Sequence, residues 1–187
     1  VDGKGAFRSG PHDVARSLGE ELGRAVLLAL GGPMKPVSGA LRARISEIEL
    51  PFQGPPAREE AAEKAGSSDK YMAAGGKKML EMLDTGAEFP TGRPLTIQTF
   101  ELGELAIPAM AGEPCVGYAL RLKEALRPRP ALIAGYANGL IGYIPTADML
   151  SEGGYEAGIS HYYDLNPSPY AAEAEEVICA EILRMLS

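Results

Sequence analysis

The sequence predicts an α/β fold, a mixed β-sheet with helical cover, and three patterns predict it. Leu95 to Leu102 and Leu105 to Met110 alternate apolar and polar residues on either side of Gly103-Glu104, which is the pattern of a tight hairpin. Stretches with apolar residues at helical spacing precede and follow that hairpin. After Pro128-Arg129-Pro130, the run Ala131-Leu132-Ile133-Ala134-Gly135 reads as a short strand apolar on both faces. Strands interleaved with helices, together with a hairpin, give a sheet of mixed direction.

Taken in order, "HDVARSLGEELGRAVLLAL" places Val14, Leu18, Leu22, Val26 and Leu30 on one helical stripe, with Asp13 as its cap. Gly19 and Gly23 each weaken that helix, a cost that a close neighbouring backbone would explain. In "LRARISEIELPF" the apolar positions slip from Leu41, Ala43 and Ile45 to Ile48, Leu50 and Phe52, which predicts a strand bulged near Ser46-Glu47. Pro55 to Gly86 reads as two helices broken at Gly66-Ser67-Ser68, with Met72, Met79, Met82 and Leu83 as filler for a core or an interface. Gly75-Gly76-Lys77-Lys78 lacks the spacing of a phosphate loop and reads as a solvated helix face. A further helix is expected from Glu113 to Leu126. The last is expected to open with Ser168 as cap and Pro169 in the first turn, and to bury Tyr170, Ala174, Val177, Ile178, Ile182 and Met185. Its acids fall mostly off that stripe, on a solvated face.

With 187 residues, 45% hydrophobic and 23% charged, the chain can bury a real core as one domain, with or without an appendage. A formal charge of −7, without a clustered basic face, argues against nucleic acid as a partner. No apolar run is long enough to span a bilayer. The chain begins at Val1, and "VDGKGAFRSGPH" reads as the interior of something longer, so the compartment stays open between secreted, periplasmic and cytoplasmic. Cys115 and Cys179 are too few for a disulfide framework and are expected to be small buried side chains.

Polar residues at strand ends attract attention, because rigid backbone there aims side chains into crevices. Glu113 follows an apolar strand, and periodicity alone makes it an ordinary acid in a first helical turn. The glycine-rich stretch from residue 135 to 158 holds Tyr136, Tyr143 and Tyr155, each readable as packing with one partner for its hydroxyl. Its glycines would let the chain turn tightly and bring backbone close to a ligand. His12 and His161 read as surface or capping groups.

"GELAIPAMAGEPCVGYALRLK" followed by "GYANGLIGYIPTADMLSEGGYEAG" resembles the C-terminal half of the neutral/alkaline, non-lysosomal ceramidase family, including its shorter bacterial members. The resemblance runs from roughly the first helix to the end of the chain. It is most specific at Gly112-Glu113, Asn138, Gly142-Tyr143 and Tyr155-Glu156; Ile144-Pro145 replaces the family's usual polar residues. It implies that residues 1–187 are the C-terminal part of a catalytic domain whose upstream half, or a companion chain, is the partner. In that family two upstream histidines, a glutamate and a tyrosine hold one Zn2+. Carried over, Glu113 is the carboxylate metal ligand, Tyr143 the phenol ligand, and Tyr155 the catalytic donor to the substrate's amide carbonyl. The chemistry suits hydrolysis of an N-acyl lipid, ceramide-like, or a related amide: zinc activates water, and a placed phenol stabilises the developing oxyanion. Tyr136 is left as packing. His12 and His161 match neither of the family's histidines, so this chain would hold half a site and be inactive alone. The competing expectation is a non-catalytic lobe, associated with envelope or polysaccharide, that keeps only the fold.

Overall fold

The computed structural model describes residues 11–187, which divide between Pro36 and Val37 into two compact units. The opening segment that reads as interior sequence lies almost wholly outside the described residues. In the first unit, α1 spans Pro11–Leu30. Proline's fixed φ suits the first turn, so the helix begins ahead of Asp13, which sits inside that turn instead of capping it. Among the described residues of this unit nothing crowds Gly19 or Gly23, and the close backbone expected there is not found.

The second unit is α/β, as predicted. Strands β1 (Leu41–Pro51), β2 (Gly92–Leu102) and β3 (Leu105–Met110) form an antiparallel sheet in that order. Leu102 pairs with Leu105 across the Gly103-Glu104 turn. The predicted bulge in β1 is absent: Ser46 faces Ile97 and Glu47 faces Thr96 in unbroken register. The phase slip has a simpler cause. Leu41 and Ile45 lie on the strand face that stays exposed, while Ile48 and Leu50 mark the other, core-facing alternation.

Helices α2 (Arg58–Ala65) and α3 (Lys70–Thr85) break where expected, and the Asp69 carboxylate caps α3 by accepting the Tyr71 and Met72 N–H groups at 2.9 Å. The glycines of the "GGKK" segment are buried, a correction to the solvated reading, which holds only for Lys77 and Lys78. A Cβ on Gly76 would meet the Ala65 nitrogen at 2.3 Å, so its absence lets α2 and α3 touch.

The core lies between the inner face of the sheet and the helices α4 (Val116–Ala125) and α6 (Glu173–Met185), where Leu50, Leu95, Ile97, Tyr118, Leu122, Ile178 and Ile182 are buried. Full burial is worth about 1.5–3 kcal/mol for each large aliphatic side chain. Helix α6 starts later than the Ser168 cap predicts, and Val177 of its expected stripe is exposed. Tyr170 instead forms an antiparallel bridge with Phe52, and the Ala171 N–H donates to Pro51 O at 2.8 Å. Residues 131–134 add parallel bridges beside β3, at Ala106–Ala131 and Ala109–Ala134, which gives the mixed direction. They form no continuous strand, and Leu132 is exposed, so the segment is not apolar-buried on both faces. Cys179 is buried, with its thiol pushed up to about 11 by desolvation; Cys115 is half-buried and raised for the same reason.

Candidate functional site

The backbone leaving β3 does not enter a helix at Glu113. The following Pro114 disfavours helical geometry for that residue, and Glu113–Pro114 form a short strand, β4, paired in parallel with β5 (Tyr143–Ile144). The reading of Glu113 as an acid in a first helical turn therefore fails, since α4 begins at Val116. The Glu113 N–H donates to Gly142 O at 2.9 Å and the Cys115 N–H to Ile144 O at 3.1 Å. Gly112 makes this approach possible: at φ +74°, a Cβ there would stand 2.8 Å from Ile141 Cγ1 and 2.9 Å from Gly142 O.

The pairing sets Glu113 directly opposite Tyr143, so their side chains leave the same face of the two strands. The Glu113 carboxylate, as hydrogen-bond acceptor and as a nearby charge, raises the Tyr143 phenol above its ordinary range. Tyr155 opens a π-helical turn, Tyr155–Ile159, and stands edge-on to Tyr143, with ring centroids 5.8 Å apart and an interplanar angle of 78°. The three expected site residues thus come together, from positions 113, 143 and 155 of the chain.

Tyr136 departs from its reading as packing. Its side chain is 67% exposed, and its hydroxyl donates to Glu113 Oε2 at 2.6 Å, which raises this phenol too. The residue has φ +58°, unusual for a bulky side chain, and its N–H donates to Gly112 O at 2.8 Å, fastening the turn beside β4. Asn138, also at positive φ, donates to Gln98 Oε1 at 3.0 Å and so ties the same turn to β2. Only the proximity of Tyr136 to the other two tyrosines in sequence hinted at this role; the left-handed turn that aims it is invisible to periodicity.

Behind Tyr143, Gly142 passes so close to Asp164 that a Cβ would meet its Oδ2 at 1.9 Å. Burial raises the Asp164 carboxyl, opposed by Arg93 and assisted by Glu113. The close approach that glycine permits here is to a carboxylate of the same chain. His161 is a further correction: it is buried, not a surface or capping group, because the 3₁₀ turn Ser160–Tyr162 presses its ring against Tyr162, with centroids 4.1 Å apart. Desolvation, with help from Lys64, lowers it to about 4. It lines a cavity of about 390 Å³ with Gln53, Glu60 and Ser168, and the smaller space holding Tyr143, Glu156 and Asp164.

Glu113 and Tyr143 are hard oxygen donors side by side, a pair that fits two positions of a tetrahedral zinc set. A catalytic zinc needs at least three protein donors, and among the described residues no group of three His, Cys, Asp or Glu side chains could hold a metal ion.

No family model matches the sequence, and no curated protein does. Among solved structures, the chain is similar to a ceramidase complexed with C2, at 17% identity and a TM-score of 0.48, over 83% of this chain and 31% of that one. It is also similar to the neutral ceramidase from Pseudomonas aeruginosa, at 20% identity and a TM-score of 0.47, over 83% of this chain and 29% of that one. The chain therefore spans less than a third of the length of either.

Proposed function

We propose that residues 1–187 are the C-terminal part of a zinc-dependent amide hydrolase resembling neutral ceramidases, acting on an N-acyl lipid, ceramide-like, or a related amide. The observation that carries this reading is the opposition of Glu113 and Tyr143 across the β4–β5 pair, with the Tyr155 ring edge-on beside them. The motif resemblance at the same residues supports it independently of the pairing.

Zinc, when bound, supplies Lewis-acid activation of water near neutral pH. In this reading Glu113 and Tyr143 hold it, and two histidines of the upstream half complete the protein ligands. Tyr155, placed by its ring contacts with Tyr143 and Tyr163, donates its hydroxyl to the carbonyl oxygen as charge develops there, favouring the transition state over the ground state. Tyr136 keeps one Glu113 oxygen occupied and fixes the rotation of that carboxylate.

The test uses the longer protein that includes the upstream half. It should hold about one zinc per chain, and Tyr143→Phe should weaken zinc binding by about 10- to 100-fold, as loss of a ligand or its support typically does. Tyr155→Phe should depress turnover of a fluorescent N-acyl amide by about 100-fold while zinc content stays unchanged. A protein free of zinc and inert on N-acyl amides would sink the reading in favour of a non-catalytic lobe. Equal loss of zinc and turnover in the Tyr155 variant would move that residue into the metal's ligand shell.

A further inference from the structure

Tyr143 is the first of four tyrosine rings in continuous contact. Tyr143 meets Tyr155 at 5.8 Å between centroids, Tyr155 meets Tyr163 at 5.8 Å, and Tyr163 meets Tyr71 at 5.6 Å. The rings come from β5, the π-helical turn, the residue after the 3₁₀ turn and the first turn of α3, so tertiary structure alone assembles them. Tyr71 and Tyr155 are exposed, and Tyr143 and Tyr163 half-buried.

The Tyr163 hydroxyl donates to Asp69 Oδ2 at 3.2 Å, and Tyr143 stands opposite Glu113 across the β4–β5 pair. The rings offer hydrocarbon edges and faces, and a contiguous accessible strip of that kind marks a binding surface. The neighbouring cavity lined by Glu60, Gln53, His161 and Ser168 is polar and suits a hydrocarbon poorly. At the outer end the Lys70 ammonium stands 4.7 Å from the centre of the Tyr71 ring and closes the strip with a charge.

We propose that this row seats the acyl arm of the amide substrate: a linear hydrocarbon lies across Tyr155, Tyr163 and Tyr71 while its carbonyl rests at the Tyr143 end. The inference rests on the amide-hydrolase reading, and what argues for this occupant is the continuity of the row with the Glu113–Tyr143 pair.

The chain has eight tyrosines and no tryptophan, so its own tyrosine emission reports on the row. The 187-residue chain is titrated with N-acetyl-, N-hexanoyl- and N-dodecanoylethanolamine below their micelle-forming concentrations. Affinity should tighten by about two-fold per added methylene, the increment for half-burying each group, until the chain passes Tyr71. Tyr71→Ala should abolish the advantage of the dodecanoyl over the hexanoyl compound and leave the acetyl and hexanoyl compounds unchanged. Tyr71→Leu, which keeps apolar surface, should retain most of that advantage. Affinity independent of length, no response to any member, or a Tyr71→Ala loss equal for all three overturns the proposal. A stronger response to a malto-oligosaccharide overturns it in favour of sugar stacking. Because the readout needs neither metal nor turnover, length-dependent binding without hydrolysis in the longer protein would sink the hydrolase reading and leave the row standing.

Discussion

The tyrosines of this protein fall into two populations that differ in enclosure and in partners. Tyr118, Tyr162 and Tyr170 are buried, and each hydroxyl donates to one fixed acceptor: Pro145 O at 3.1 Å, Glu60 Oε1 at 2.9 Å and Ile141 O at 3.3 Å. Desolvation raises all three phenols, Tyr170 to about 12, so they stay protonated donors inside the core. Tyr71, Tyr136, Tyr143, Tyr155 and Tyr163 keep solvent access and gather around Glu113 or extend outward from it. The same side chain packs where its ring is enclosed and keeps an accessible ring where it stays open. What separates the two groups is enclosure, which residue type alone does not reveal.

The comparison breaks most visibly at Tyr118. Tyr118→Ala empties an aromatic-sized space in the core and should cost about 3–5 kcal/mol, read as a lowered denaturation midpoint. The corresponding Tyr143→Ala at the half-buried rim should cost less than half as much; equal losses would erase the distinction. His161 offers a test of enclosure by pH. Its folded value of about 4 lies below the ordinary 6.5, so the unfolded chain binds the proton more tightly. Stability from this group is therefore complete above about pH 6.5 and is lost as pH falls toward 4, at most about 3 kcal/mol. Urea unfolding of the wild type at pH 7 and pH 4.5 should show that loss, and His161→Gln should remove most of it.

Smaller effects sharpen the contrast. Tyr118→Phe leaves the Pro145 carbonyl without its partner and should cost about 1–2 kcal/mol. Tyr155→Phe at the rim should change stability by no more than about 0.5 kcal/mol, because its ring contacts survive and no partner is stranded. A Tyr155→Phe loss as large as that of Tyr118→Phe would show that the rim hydroxyl is structural.

Elements with an uninterrupted pattern were legible in sequence. The β2–β3 hairpin, the break between α2 and α3 and the buried stripe of α6 follow from periodicity and turn residues, which act locally. The errors lie where partners distant in the chain decide. Phe52 pairs with Tyr170 and delays α6; the Gly142 carbonyl takes the Glu113 N–H and makes a strand where a helix was expected. In β1 the apparent bulge came from assuming that every apolar residue faces the core, although Leu41 and Ile45 do not. At the site, Glu113, Tyr143 and Tyr155 were singled out from their motif, whereas Tyr136, Tyr163, Tyr71 and the burial of His161 were not.

By itself the sequence determined the α/β class, the order of most elements, the net charge, and which residue types stand near Glu113. Those properties depend on local propensity, spacing and net charge, all written along the chain. Only the tertiary structure decided that Glu113 faces Tyr143, that Tyr136 reaches the same carboxylate, and that four rings from separate elements form one row. Each of these needs contacts between residues far apart in sequence, and such contacts are set when the whole core packs and its backbone hydrogen bonds find their partners.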